Sequence, residues 1–168
     1  VEGMLSMFED VQKMESSTKE ETDIYVDFQT ALKDIRKWDQ TIVSGETIRI
    51  LNANNGVNLR KLFDMTHVSY IMTMEYDMGR EITGVSTDKL TLEQFIHTCY
   101  REFARSIYQN PALCDKDELT PQQIQANLRT LHDLANHAVC TSLMKSVPLN
   151  MFLDGLDINE FIEMNQEI

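Results

Sequence analysis

Three short phrases constrain the fold of this chain more than any other feature: Leu90-Thr91-Leu92-Glu93-Gln94-Phe95, Leu119-Thr120-Pro121-Gln122-Gln123-Ile124 and Leu156-Asp157-Ile158-Asn159-Glu160-Phe161. Each sets Thr or Asp three residues ahead of Gln or Glu. The first side chain accepts an orphan backbone N–H of the opening helical turn, and the second reaches back to the cap. An apolar residue before each cap faces another at the fourth helical position, which fixes the angle of chain entry. Each phrase therefore marks a helix start.

Helical spacing continues downstream of the first two starts. Phe95, Cys99, Phe103 and Ile107 recur every four residues, Ile96 and Tyr100 widen the stripe, and Arg101, Glu102 and Arg105 fall elsewhere. Asn110-Pro111 ends this helix, because proline disfavours α geometry in the residue before it. Ile124, Leu128, Leu131, Ala135, Ala138, Ser142 and Leu143 trace one face of the next, which runs until Pro148. Two long helices joined by a loop of about ten residues pack as an antiparallel pair.

Upstream, Ile24, Phe28, Ala31, Leu32, Ile35 and Trp38 make a further stripe, and Leu59, Leu62, Phe63, Thr66, Tyr70 and Met74 make another that starts near Asn58. Ser44 to Asn54 reads as a short helix or an extended segment, so residues 40–57 stay open between helix and strand. Asn54-Asn55-Gly56 is a turn or helix stop in either case. Residues 79–88 read as a loop. Met4, Leu5, Met7, Phe8, Val11 and Met14 permit a short amphipathic helix, but the composition of this end and the charged patch after it place it as a peripheral arm. The fold class is all-α: a helical bundle with two long antiparallel C-terminal helices and short peripheral helices. Its expected organisation is an acidic N-terminal arm over 1–21, a helical domain over 22–153 and an acidic C-terminal helix over 154–168.

With 168 residues, 42% of them hydrophobic, the chain can bury a real core as one domain. A chain that begins at Val1 rather than Met is compatible with a portion of a longer protein. The formal net charge of −12 gathers at the two ends: residues 1–23 hold seven acids against two lysines, and residues 154–168 hold five acids and no base. No Lys/Arg cluster offsets it along the sequence, which argues against nucleic acid or an anionic membrane surface as partner. No apolar run reaches the roughly 18–20 residues that span a bilayer. Cys99, Cys114 and Cys140 are odd in number and lack a CxxC pair, as expected of free thiols in a reducing compartment.

Signatures of chemistry are missing where they should be legible. His132 and His137 are five apart and so diverge by about 140° around a helix; His97 and Cys99 diverge further. Only a site assembled across helices, such as His97 with Cys140, would bring such ligands together. Setting Gly155 at the turn of a calcium loop puts Phe152 and Phe161 at ligand positions, so that pattern fails, and Asp157 is explained as a cap. Cys99 and Cys140 lie on or beside apolar stripes and read as buried structural cysteines. There is no GxSxG elbow and no phosphate-cradling glycine loop. The expectation is no catalytic residue, no cofactor and no metal.

Ten methionines remain to be placed. Met65, Met72, Met74 and Met78 lie on or beside one expected helix and read first as core filling, with an adaptable contact surface as the alternative. The N-terminal group is the stronger contact candidate, since an amphipathic end buries its apolar face only by docking on its own body or on a neighbour. The candidate partner-binding residues are Met4, Met7, Phe8, Val11, Met72 and Met78.

The stretch Tyr100-Arg-Glu-Phe-Ala-Arg-Ser-Ile-Tyr-Gln-Asn-Pro-Ala-Leu-Cys114, followed by a long helix that closes in Lys145-Ser-Val-Pro-Leu-Asn-Met-Phe-Leu153, resembles a C-terminal layout of small helical proteins from nucleocytoplasmic large double-stranded DNA viruses. The similarity covers residues 90–153. It implies a virion-associated, non-enzymatic structural protein of the minor capsid type, a cement or linker found in the virion and in host cytoplasm during assembly. Its implied partners are capsid or other virion proteins, or further copies of itself, met by the helical body and the acidic ends. A helical module that regulates a viral or host partner is the alternative reading, and an enzyme with a cross-helix His/Cys site is a third.

Overall fold

The computed structural model describes residues 1–17, 23–54, 58–77 and 90–147. These form six α-helices, two 3₁₀ turns and no strand among the described residues: α1 (Glu2–Ser17), α2 (Ile24–Asp34), α3 (Gln40–Ala53), α4 (Leu59–Asp77), α5 (Leu92–Tyr108) and α6 (Pro121–Lys145). The 3₁₀ turns are Ile35–Lys37, which extends α2, and Pro111–Cys114, in the connection between α5 and α6. The all-α bundle and its long C-terminal pair are as expected.

Local chemistry explains most of the helix starts. Thr91 and Thr120 each accept a backbone N–H, from Gln94 and Gln123, whose side chains in turn accept from the cap N–H. Asp23 accepts from the Tyr25 N–H, and Asp39 from that of Ile42. The Asp39 cap settles the open segment as helix: Gln40–Ala53 is α3. The third capping phrase, the 79–88 loop and the C-terminal helix lie outside the described residues.

Helix α5 is the hub, with α2, α3, α4 and α6 packed on it. Phe103, Ala104 and Ile107 of α5 meet Leu131 and Ala138 of α6 in the main core, together with Phe28, Leu32 and Ile35. Late in α6, Leu143 lies with Phe95 and Ile96 from the start of α5, as an antiparallel pair requires. A second cluster joins Phe63 of α4 to Leu92 and Ile96, with Ile50 and Leu51 of α3 against it. A third sets Ile71 of α4 against Val147.

Residues 2–17 correct the expectation of a peripheral arm. Met4 and Phe8 are each only 1% exposed and belong to the main core. The reason is that α2 presents Phe28 and Tyr25 to Phe8, while Met4 lies beside Tyr100 and Phe103 of α5 and Ala135 and Ala138 of α6, so the apolar face of α1 docks on its own body. At Gly3 the approach is close: a Cβ there would collide with the Tyr100 hydroxyl.

Candidate protein interface

Helix α4 is built differently from its neighbours. Its inward face is Phe63, His67, Ile71 and Glu75, all buried, two of them polar. Its outward face carries Leu62, Met65, Met72 and Tyr76, exposed by 52, 60, 39 and 75%. At 100° per residue these four fall within an arc of about 80°, opposite the buried stripe. The expected stripe of Leu59, Leu62, Phe63, Thr66, Tyr70 and Met74 is thus rotated: Leu62 and Thr66 face solvent, and Met74 packs beside Ile71. Sequence periodicity misses this because the buried face alternates Phe63 and Ile71 with His67 and Glu75 while the outward face is apolar, so no single direction stands out.

Beside this face runs an apolar groove of about 360 Å³, walled by Ile50, Leu62, Phe63, Phe95, Val139 and Leu143 from α3, α4, α5 and α6. Val139 and Ile48, exposed on α6 and α3, add apolar surface to those helices. Contiguous apolar surface of this kind recurs at protein, membrane and ligand contact sites.

On another side of α5 the polar chemistry is a closed network. The Tyr100 hydroxyl donates to Glu46 Oε2 at 2.6 Å and accepts from Arg49 Nη2 at 3.0 Å, while Arg49 also pairs with Glu46 at 2.9 Å. Burial works to raise the Glu46 carboxyl, but the hydrogen bonds from Arg49 and Tyr100 outweigh it and hold it below the ordinary value. Burial, then the bond to Glu46, pushes the Tyr100 hydroxyl up to about 12. This network ties α3 to α5; every member has its partner, which is the pattern of a structural element.

The three cysteines are free, but only Cys114 is buried, Cys99 being partly so and Cys140 exposed. Burial pushes the thiols of Cys99 and Cys114 up to about 11 and about 12, away from nucleophilic thiolate. Cys140 therefore departs from the buried reading: it lies on the solvent side of α6 while Ala138 and Ser142 face inward. His97 stacks on Trp38 and its Nε2 sits 2.8 Å from the Ile35 carbonyl, so this ring secures the end of α2. Among the described residues no group of three or more His, Cys, Asp or Glu is placed to hold a metal ion, and no helix is long and apolar enough to cross a membrane.

The six candidate contact residues separate. Met4 and Phe8 are core and unavailable to a partner; Met7 and Val11 are half-buried against that core. Met72 is exposed on α4, and Met78 lies outside the described residues. Leu62, Met65 and Tyr76 join Met72, and of these only Met65 had a signal in the sequence, as part of the methionine group.

These features define a class: an all-α bundle organised around one hub helix, with a neighbouring helix that keeps apolar side chains on its outer face. The chain belongs to the family of unknown function DUF5764, whose model matches residues 1–115, from α1 through α5 and the 3₁₀ turn after it. No curated protein and no solved structure matches it.

Proposed function

We propose that this chain is a non-enzymatic protein-binding module that serves as a structural part of a larger assembly. The observation that carries the reading is the outward face of α4, where Leu62, Met65, Met72 and Tyr76 form an apolar stripe that no other described residue covers. Such a stripe on a helix docks in an apolar groove or against a second helix, with anchors three and four residues apart. The resemblance of residues 90–153 supplies the setting: a large DNA virus particle, with a shell protein as the occupant of this face and the chain as cement or linker. A second reading, a regulator of a viral or host partner, is favoured by Met65 and Met72, whose flexible thioethers adapt to partners of differing shape.

The test is quantitative mass spectrometry of particles purified from the source, with the wild-type chain and with Met65→Glu/Met72→Glu. A fixed ratio of chain to shell protein, lost in a variant that stays folded, supports the structural reading. Absence of the wild-type chain from particles overturns it, and a stable complex outside any assembly, sensitive to the same variant, establishes the regulator instead.

A further inference from the structure

The sequence holds no basic cluster, but the fold assembles one. Lys33 and Arg36, from the end of α2, and Arg101 and Arg105, one turn apart on α5, line one pocket of about 210 Å³ with Leu32, Ala104 and Tyr108. Leu32 and Ala104 are buried and form an apolar floor. Lys33 Nζ stands 5.0 Å over the Tyr108 ring, and the Arg36 Nε–H donates to the Lys33 carbonyl, so both cations are held at the rim rather than swinging free. Arg105 already meets Glu102 at 3.1 Å, and Glu102 is shared with Lys145 at 2.8 Å. Lys33, Arg36 and Arg101 form no ion pair among the described residues, although Arg101 adds to the field that lowers the Glu102 carboxyl.

Three cations that form no ion pair among the described residues, set around an apolar floor, are unusual on a chain of net charge −12. Like charges gathered with fewer counter-charges repel one another, and an anionic ligand relieves that repulsion. The screening length of roughly 8 Å at physiological salt confines the contest to the pocket, where the cations outnumber the acids. A floor of Leu32 and Ala104 fits an apolar side chain rather than a bare phosphate. From this geometry we infer that the pocket binds an acidic peptide segment of a partner protein: one apolar or aromatic side chain on the floor, flanked by carboxylates that pair with Lys33, Arg36 and Arg101. The guanidinium forks of Arg36 and Arg101 suit carboxylates in bidentate pairs. This surface lies on a different side of α5 from the α4 face, and it stands or falls independently of that contact.

Fluorescence anisotropy tests this on the full chain with a labelled Asp-Glu-Glu-Phe-Glu-Asp peptide, against its amide counterpart Asn-Gln-Gln-Phe-Gln-Asn and a labelled single-stranded oligonucleotide. Saturable binding of the acidic peptide is expected, at least about tenfold weaker in Arg36→Glu/Arg101→Glu, and weakened again between about 50 and 300 mM salt. Both substitutions are at exposed positions, and circular dichroism checks that the variant keeps its helices. Met65→Glu/Met72→Glu should bind the peptide as the wild type does. No saturable binding, equal binding by the pocket variant, equal binding of the amide peptide, or tighter binding of the oligonucleotide would each overturn the assignment.

Discussion

The rings of Phe8 and Phe28 meet edge-on, their centroids 5.0 Å apart and their planes at 80°. That contact joins the first helix to the second and makes the N-terminal segment part of the core. Edge-to-face pairs of this kind add to the stabilisation from burial itself.

Truncating either ring should therefore cost what core truncation costs. Phe8→Ala is expected to lower unfolding free energy by about 3–5 kcal/mol in urea denaturation. A loss below about 1 kcal/mol would mean that α1 only rests on the surface.

Gly3→Ala is a sharper test of the same docking. Alanine normally favours a helix over glycine by about 1 kcal/mol. Here the added methyl collides with the Tyr100 hydroxyl and comes within 3.0 Å of Arg49 Nη2, disturbing the network with Glu46. The expected result is a net loss of about 1–3 kcal/mol. A stabilised Gly3→Ala would show that α1 does not approach α5 this closely.

Alkali should destabilise the fold early. Burial raises Cys99 from 9.0 to about 11 and Cys114 from 9.0 to about 12, and burial with the Glu46 bond raises Tyr100 from 10.0 to about 12. Tyr25 rises to about 12 through its hydrogen bond to Asp115. Each group ionises more readily in the unfolded chain, so its contribution is whole below its unfolded value and is lost as pH climbs through the folded one. The window opens near pH 9.0, where the thiols titrate in the unfolded chain, and runs to about 12. Glu46 acts in the opposite sense: its lowered value favours the fold above the ordinary 4.5, a benefit lost on acidification. Thermal midpoints should fall steadily from about pH 9 upward, and a flat profile to about pH 11 would contradict these burials.

Much of this was legible in the sequence, for identifiable reasons. Thr91 and Thr120 announce their helices because capping is a local interaction, settled within four residues. Phe103, Ile107 and Leu131 are found by period because α5 and α6 each have one dominant apolar face. Three things were not legible. The seat of Phe8 depends on Phe28 and that of Met4 on α5 and α6, none of which sequence spacing relates to them. The direction of α4 is hidden because Leu62 and Phe63 are adjacent and both apolar, yet the first is exposed and the second buried. The cluster of Lys33, Arg36, Arg101 and Arg105 exists only once α2 lies against α5.

The two faces of α4 should respond oppositely to substitution. Phe63→Ala, on the inner face, is expected to destabilise by about 3 kcal/mol. Leu62→Glu and Tyr76→Glu, on the outer face, should leave stability within about 0.5 kcal/mol while abolishing the contact. Equal destabilisation by both sets, read from urea midpoints, would place the outer residues in the fold rather than at an interface.

The central claim, that the outer face of α4 is the contact surface, is tested most directly by photo-crosslinking in purified particles. A benzophenone amino acid replaces Met65 in one sample and the exposed Arg129 of α6 in another. The position-65 probe is expected to join the chain to the proposed shell-protein partner, and the position-129 probe to remain uncoupled. Equal coupling at both positions, or none at position 65 with the chain present, would contradict it.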